Sequence, residues 1–281
     1  MPKIFGLEHI IYMVITFSLT IAGLILIKKF CKTEKSQKIA VKIAGTVLFV
    51  TILVNRLCVY LWQMAEGNTT YPYLPVSLCA TVSMLFGFAT IVCKKDSSVL
   101  HFLTYTAIFT GLISTIYPTY IGQGATIFFA STITSLLHHS LSFFVAILIL
   151  ELGWITPNIK KWYAWPLGYC GLITYGVFTL KMLGKSYDSM NINSPLLKGT
   201  FLNWFYLGLL FLALYTVFLL IFDTIKNKKQ CFVVTVFNKI KNVFSKSGKK
   251  EKTEDKLPKN TTENIEQPNY VVEQANENEN K

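Results

Sequence analysis

The sequence predicts an all-α, polytopic membrane protein built as a bundle of seven transmembrane helices. Of its 281 residues, 52% are hydrophobic and only 15% are charged, a composition too apolar for a soluble domain of this length. No Asp or Glu lies inside any of the apolar runs that are long enough to cross a bilayer. We expect these seven runs to be the helices: 10–27, 43–62, 74–93, 100–116, 125–150, 162–180 and 202–222.

The expected helices are joined by short connections that carry turn residues. Gly67-Asn68 separates the second and third runs, and Tyr117-Pro118, with Gly122 and Gly124 soon after, separates the fourth and fifth. Short connections favour one compact bundle. We therefore expect residues 1–225 to form a single transmembrane domain.

The lysines predict the orientation of this bundle. They collect in the first, third and fifth connections and after residue 225, whereas the second and fourth connections have none. The sixth connection, with Lys181, Lys185 and Lys198, is the one exception. Because Lys and Arg accumulate on the cytoplasmic side, the N-terminus is expected outside and the C-terminus in the cytoplasm, as an odd number of spans requires. The expected location is the cell membrane, with multiple passes.

The chain beyond the last run predicts a surface helix and a tail. Within 226–247, apolar residues recur at helical spacing beside lysines and asparagines, which is typical of a basic amphipathic helix at a membrane surface. This helix is expected to contact anionic lipids of the inner leaflet, at about 1 kcal/mol per basic residue. Residues 248–281 are polar and are expected to be disordered. Nucleic acid is not an expected partner, because the lysines are not interleaved with an aromatic platform. The sequence leaves the oligomeric state open.

The six cysteines predict neither a metal site nor a disulfide framework. They show no paired spacing and are scattered over different helices. The plainest role for each is that of a small apolar packing residue. No metal and no cofactor is expected.

Arg56 is the most informative single residue, because it lies inside the apolar run 43–62. An arginine keeps its proton, and its placement in hydrocarbon costs roughly 2.5 kcal/mol or more. It is expected to face a cavity, an anionic ligand or a lipid phosphate. The alternatives are that its long stem carries the guanidinium to the outer headgroups, or that it pairs with Glu66. Its neighbour Asn55 either contacts substrate or makes an interhelical hydrogen bond.

Polar residues of other helices are expected at a depth similar to that of Arg56, which is roughly 10 Å below the outer end of its helix at a rise of about 1.5 Å per residue. Ser77 and Cys79 begin the third helix at this depth, and Lys181 ends the sixth near it. Lys181 is a candidate substrate contact, although a lysine so close to a helix end also snorkels outward.

The pair His138 and His139 is expected about 20 Å below the outer surface. An imidazole suits a general acid or base, and paired with Cys79 it would generate the thiolate that attacks an acyl carbonyl. Adjacent helical residues point about 100° apart, so at most one of the two faces a narrow cavity squarely. The alternative is a neutral histidine that is hydrogen-bonded to a Ser, Thr or Tyr of another helix.

The hexapeptide Leu74-Pro75-Val76-Ser77-Leu78-Cys79 resembles the Leu-Pro-Leu-His-Leu-Cys signature of the YwaF-type bacterial integral membrane proteins. Four further features accompany it over roughly residues 45 to 222: a preceding helix with Arg56, the Tyr117-Pro118 turn, His139 in the fifth helix, and Ser194-Pro195 before the helix that bears Trp204. That family is similar to a eukaryotic transmembrane acyltransferase that moves acyl chains between phospholipids.

The resemblance implies Cys79 as nucleophile and His139 as its base. This sequence departs from the family pattern at two positions. Ser77 stands where the signature has His, and Leu180-Lys181-Met182 stands where the family has Asn-Tyr-Met.

Three functional hypotheses follow from the sequence. In the first, an intramembrane cavity binds a phospholipid or other amphiphile, with Arg56 on its headgroup and with acyl transfer by Cys79 and His139 as the candidate reaction. Ser77, Asn55, His138 and Lys181 complete the expected substrate contacts. In the second hypothesis the chain is a transporter or permeation protein for a small molecule or anion. In the third it is a non-catalytic membrane scaffold.

Overall fold

The protein is all-helical in the residues that its computed structural model describes, which are 2–241 apart from 120–122, 185–187, 189, 191, 194–198, 202, 228–233 and 237. This confirms the predicted fold class. Seven α-helices and one 3-10 turn follow one another in these ranges: α1 Leu7–Phe30, α2 Glu34–Ala65, α3 Leu78–Val92, α4 Ser98–Ile116, α5 Ala130–Glu151, the turn Ile159–Lys161, α6 Ala164–Leu183 and α7 Trp204–Asn227.

Five of these helices are long and apolar enough to cross a bilayer, namely α1, α2, α4, α5 and α7. The chain is therefore a multi-pass membrane protein, as predicted. α3 is apolar but has only 15 residues, and α6 has 20 residues without reaching the apolarity of the five. That all seven helices cross the membrane, and that they do so in the predicted orientation, therefore remain predictions.

Three helices begin four or more residues from the starts that the apolar runs predicted. α5 begins five residues late, at Ala130, after a turn in which the Phe129 N–H donates to the Thr126 carbonyl. α2 begins nine residues early, at Glu34, because Thr33 and Ser36 form a capping box that satisfies the first free N–H groups of the helix. α3 begins only at Leu78, because Pro75 interrupts the run and Ser77 caps the helix by accepting from the Ala80 N–H. Residues 74–77 thus belong to an extended connection.

The helices α2, α3, α4 and α5 form the centre of the bundle, with α1 packed against α5, α6 against α4, and α7 against α6. Glycines allow the close approaches at this centre. A Cβ atom added to Gly87 would lie 2.9 Å from the Phe49 backbone N of α2, and one added to Gly111 would lie 2.7 Å from the His139 carbonyl of α5. The second of these contacts brings α4 directly against the histidine pair.

Three ion pairs join the helix ends at which the lysines collect, here called the Lys-rich end. Lys28 of α1 pairs with Glu151 of α5 at 2.9 Å, and Lys95 pairs with Glu34 of α2 at 3.4 Å. Lys161 pairs with Asp96 at 2.6 Å, and Asp96 also binds the His101 ring at 2.8 Å. The opposite end of the bundle carries the connection from α2 to α3 and the candidate site.

The chain divides into two compact units, Met1–Val234 and Thr235–Lys281. Within the expected amphipathic segment 226–247, residues 234–236 and 238–241 are helical, and most of the remainder lies outside the described residues. The expected disordered tail, 248–281, lies wholly outside them. The predictions for these two segments remain predictions.

Candidate functional site

The Arg56 side chain binds the connection between α2 and α3. Its guanidinium is buried and donates three hydrogen bonds, each 3.1 Å long: Nε to the Tyr73 carbonyl, and Nη2 to the carbonyls of Pro72 and Leu74. Its Cζ also lies 5.5 Å from the centre of the Tyr71 ring, within cation–π range. Arg56 therefore orders the segment that leads to Ser77 and Cys79.

Two further side chains hold the same segment. The Tyr175 hydroxyl of α6 donates to the Pro75 carbonyl at 2.7 Å, and the Thr81 hydroxyl of α3 donates to the Ser77 carbonyl at 2.9 Å. Together with Arg56, they bind carbonyls at five of the six positions from 72 to 77. The backbone before Cys79 is thus fixed from three helices, which supports a defined position for this cysteine.

Cys79 lies in the first turn of α3 and faces α4. It is the second residue of the helix after the Ser77 cap, and its side chain is half-buried. The Cys79 Sγ lies 3.5 Å from the Ser114 Oγ. Burial disfavours a charged thiolate, whereas the free N–H groups and the partial positive charge of a helix N-terminus favour one. The two influences on the thiol therefore oppose each other.

His138 belongs to a hydrogen-bonded group that joins α3 to α5. Its Nδ1 lies 3.1 Å from the Ser83 Oγ, which lies 2.8 Å from the Ser142 Oγ, and the Ser142 hydroxyl donates to the His138 carbonyl at 2.8 Å. Ser83 follows Cys79 by one helical turn, which places their Cβ atoms about 6 Å apart on one face of α3. His138 is thereby held one turn from the thiol.

His139 is buried beside its neighbour, with the two imidazole centroids 4.0 Å apart. The Gly111 contact places α4 against its carbonyl, and Ser114, the partner of Cys79, lies one turn farther along α4 on the same face. Cys79 thus contacts α4 through Ser114, and the histidine pair contacts α3 and α4, at the junction of α3, α4 and α5.

A second set of hydrogen-bonded side chains, most of them hydroxyls, lies beside this junction and joins α1, α4 and α5. The Tyr12 hydroxyl lies 2.8 Å from the Ser140 Oγ, and the Thr115 hydroxyl lies 3.4 Å from it. The Thr115 carbonyl accepts from His9 Nε2 at 2.9 Å, and the Phe5 N–H donates to His9 Nδ1 at 3.1 Å. Both ring nitrogens of His9 therefore have backbone partners.

Asn55 and Lys181, two other residues that were predicted to contact substrate, have different surroundings from Cys79 and the histidine pair. The Asn55 amide donates to the hydroxyls of Thr134 and Ser135 at 3.0 and 2.9 Å, so it makes an interhelical bond to α5. Lys181 is exposed in the last turn of α6, where a cation suits the helix dipole. Glu66, the expected alternative partner of Arg56, is the exposed C-cap of α2 and is not among the groups to which Arg56 donates.

The voids between helices in the described part of the chain include the following three. The largest, of about 560 Å³, opens between α3, α4 and α6 and is lined by apolar residues such as Leu85, Phe88, Phe102 and Leu172. A small void of about 10 Å³ shares Leu172 with it and reaches Leu78, the neighbour of Cys79. The third, of about 230 Å³, lies between α1 and α5. Arg56, Cys79, His138 and His139 line none of these three.

Sequence reasoning did not identify the hydroxyl partners at this junction. The sequence does contain a signal for two of them: Ser83 follows Cys79 by four residues, and Ser142 follows His138 by four, which places each pair on one helix face. Ser114 and Tyr175 carry no such signal, because only the packing of α4 and α6 brings them near.

Comparison with known proteins gives a family match for the transmembrane part of the chain. The family model described as the TMEM164 family matches residues 4–221, which include all seven helices up to most of α7. No curated protein and no solved structure gave a match.

Proposed function

This chain belongs to the TMEM164 family, and we propose that it binds a phospholipid or other amphiphile within the membrane and transfers an acyl chain from it. Cys79 is the proposed nucleophile and His139 the proposed base. The resemblance of residues 74–79 to the YwaF-type signature supports these two roles. The rest of the support comes from how the chain surrounds the thiol.

The placement of Cys79 is the observation that carries the proposal. The thiol sits in the first turn of a helix whose preceding backbone is bound by Arg56, Tyr175 and Thr81. A fixed backbone holds a nucleophile in one orientation, which is the main requirement for attack on a bound carbonyl. The neighbouring hydroxyl of Ser114, 3.5 Å from the sulfur, supplies a polar contact to the thiol.

The apolar space beside α3 supports an acyl chain as the group transferred. The void of about 560 Å³ is of the size that ligand pockets have, and the smaller void, which also touches Leu172, reaches Leu78. Gly171 lies on the α6 wall of the larger void, where an added Cβ would meet nothing within 4 Å, whereas the Phe102 ring packs against Gly168. An acyl chain in this void would direct its carbonyl toward the start of α3.

The proposed reaction has two steps. His139 accepts the proton of the Cys79 thiol, the thiolate attacks the ester carbonyl of the donor lipid, the ester C–O bond breaks, and the departing alcohol takes that proton from His139. A hydroxyl of the acceptor lipid then attacks the thioester, His139 accepts its proton, and the C–S bond breaks to restore the thiolate. No oxidant or cofactor is needed, because each step exchanges one acyl bond for another.

Arg56 has a positioning role in this proposal. Its three hydrogen bonds go to the connection before α3, so it acts on Cys79 through the backbone. Ser77 acts similarly as the cap of α3. His138, bound to Ser83, fixes the distance between α3 and α5.

Reconstitution tests the proposal. The full chain is placed in vesicles that contain phosphatidylcholine with a radiolabelled acyl chain and an unlabelled lysophospholipid, and the label in the second lipid is followed. We expect transfer in the unaltered protein and loss of at least 100-fold in Cys79→Ala and His139→Ala, in line with the usual weight of a nucleophile or base. Cys58→Ala, which removes another half-buried thiol, is the matched control and should retain transfer.

A covalent intermediate provides an independent readout. Mass spectrometry of Cys79 should show an acyl adduct that neutral hydroxylamine removes, because thioesters react with it faster than oxygen esters. Transfer that survives Cys79→Ala, or an adduct on a different cysteine, would exclude the mechanism. Uptake of a small anion that depends on Arg56 but not on Cys79 would instead support the transporter hypothesis.

The Lys-rich end supports contact with anionic lipids as a further part of the proposed function. Lys29, Lys94 and Lys160 are exposed there, at the ends of three successive pairs of helices. Basic residues at a membrane surface attract phosphatidylserine-like or phosphatidylglycerol-like headgroups by about 1 kcal/mol each. Substitution of these three lysines by Gln should weaken retention of anionic lipid by the purified chain.

A further inference from the structure

The cleft between α1 and α5 is lined by both hydroxyl-bearing and apolar residues. Its volume is about 230 Å³. Hydroxyl groups of Tyr12, Thr16 and Thr20 line it from α1, and Ser140 lines it from α5. We infer that this cleft binds an uncharged lipid that carries a free hydroxyl group, such as a diacylglycerol. This site lies apart from Cys79 and goes beyond the proposed acyl transfer.

The ligand must come from the bilayer, because the cleft opens on the lipid-facing side of two membrane helices. Leu19 of α1 is 66% exposed and Leu137 of α5 is 41% exposed, and both line the cleft. Both helices are long and apolar enough to span the bilayer, so these side chains lie among acyl chains. Leu141 and Phe144 add two more apolar side chains to the lining of the cleft.

The headgroup must be uncharged. The residues that line the cleft include no Asp, Glu, Lys, Arg or His. A phosphate placed against these side chains would lose its hydration without gaining a cationic partner, which is strongly unfavourable. A hydroxyl group of the ligand needs only the neutral hydrogen bonds that the hydroxyl-bearing residues of the cleft provide.

The hydrogen bonds at Ser140 decide which neutral group fits. The Ser140 hydroxyl donates its one proton to the Leu136 carbonyl at 2.9 Å, so at 2.8 Å it accepts from the Tyr12 hydroxyl. The single Tyr12 proton is therefore used, so Thr16 is the donor in its hydrogen bond to Tyr12, and the Thr16 oxygen presents a lone pair to the cleft. A donor is required to meet it, which favours an alcohol over an ester or an ether.

Contacts at both ends of α1 hold the cleft open. At one end Glu8 accepts from the Ile127 N–H at 3.0 Å, and His9 binds the Thr115 carbonyl at 2.9 Å. At the Lys-rich end Lys28 pairs with Glu151 at 2.9 Å. Gly23 narrows the cleft toward that end, where an added Cβ would lie 3.1 Å from the Phe144 ring. The distance between α1 and α5 is therefore fixed by contacts at both ends of the cleft.

Equilibrium binding to the full chain in phosphatidylcholine nanodiscs tests the inference, with tritiated 1,2-dioleoylglycerol and its 3-O-methyl ether as probes. The ether has the same acyl chains but no donor proton. One neutral hydrogen bond is worth about 0.5–1.5 kcal/mol, so the unaltered chain should prefer the alcohol by about 2- to 13-fold. Tyr12→Phe retains the ring and should bind the two probes equally. Measurement in a Cys79→Ala background keeps binding separate from acyl transfer.

Tyr163→Phe is the matched control, because it removes a phenol that is bonded to Ser98 at 2.9 Å, away from the cleft. It should retain the preference for the alcohol. The inference is overturned if the unaltered chain does not distinguish the alcohol from the ether, if the preference survives Tyr12→Phe, or if dioleoylphosphatidic acid binds more tightly than dioleoylglycerol. Since none of these readouts depends on Cys79 chemistry, failure here leaves the acyl-transfer proposal standing, and the converse also holds.

Discussion

The Arg56 Nη2 atom donates to the Leu74 carbonyl over 3.1 Å, and this bond links the middle of α2 to the residue that opens the hexapeptide 74–79. The same nitrogen also binds the Pro72 carbonyl. A buried charge that looked like a ligand anchor in the sequence is thus used by the protein on its own backbone. Backbone carbonyl oxygens suit a guanidinium at this depth, because they carry partial negative charge and avoid the cost of desolvating a carboxylate.

Arg56→Met should destabilise the protein and alter the reactivity of Cys79. The substitution removes three part-buried hydrogen bonds and leaves their carbonyls without these donors, a loss of about 3 kcal/mol. Thermal unfolding in detergent measures the first effect, and the rate of Cys79 alkylation by a maleimide measures the second. Lys181→Met, which removes an exposed cation from α6, should change neither value.

Arg56→Lys separates charge from geometry. A lysine keeps the positive charge, but it lacks the planar fork that reaches three carbonyls at once. We expect it to recover less than half of the lost stability. Recovery to the unaltered value would mean that charge alone matters, which contradicts the positioning role.

Ser77→Ala should weaken the start of α3 by about 1 kcal/mol, because the Ser77 hydroxyl accepts from the Ala80 N–H. Ser77→Asn retains a side-chain acceptor and should remain close to the unaltered stability. Hydrogen exchange at residues 79–81 reports on this turn directly. Equal exchange in both variants would show that the cap does not order the turn that bears Cys79.

Gly111→Ala should separate α4 from α5. The new Cβ would lie 2.7 Å from the His139 carbonyl and 2.8 Å from the Phe143 N, and neither backbone atom can move aside alone. Overpacking of this kind costs about 1–3 kcal/mol. Gly171→Ala is the matched control, since a Cβ there meets nothing within 4 Å and alanine favours the helix. A Gly111→Ala protein as stable as this control would show that the two helices do not rely on the close approach.

The sequence predicted the helices from their apolarity, but it misplaced their starts where a cap or a turn determines them, as at the apolar residues 125–129, which precede α5. The early start of α2 depends on Thr33 and Ser36, whose polar side chains lie outside the apolar run. The residues of the candidate site were identified by type, but their partners were not. Arg56 binds carbonyls 16 to 18 residues ahead, and the course of that connection depends on the packing of α6 through Tyr175. Interhelical contacts of this kind have no local pattern.

The Asp96 carboxylate should make the stability of the Lys-rich end depend on pH. Partial burial alone would raise the Asp96 pKa, but hydrogen bonds from Lys161, Thr156 and His101 outweigh it and hold this pKa below its ordinary value. A carboxyl whose pKa is lowered by folding stabilises the native state above its unfolded pKa, near 3.9, and that contribution is lost as the pH falls through the lower native value. Stability should therefore decline below about pH 4.

Asp96→Asn isolates this contribution. Asparagine tolerates the left-handed backbone of position 96, where φ is 60°, so the substitution removes the charge without adding backbone strain. We expect a lower melting temperature than that of the unaltered chain at pH 7, and a difference that shrinks as the pH falls from 4 to 3. Glu34→Gln, which breaks an exposed pair with Lys95, should show a much smaller difference at pH 7, because exposed ion pairs contribute little. A difference between Asp96→Asn and the unaltered chain that stays constant over this range would show that the Asp96 charge does not hold the α3–α4 connection to Lys161.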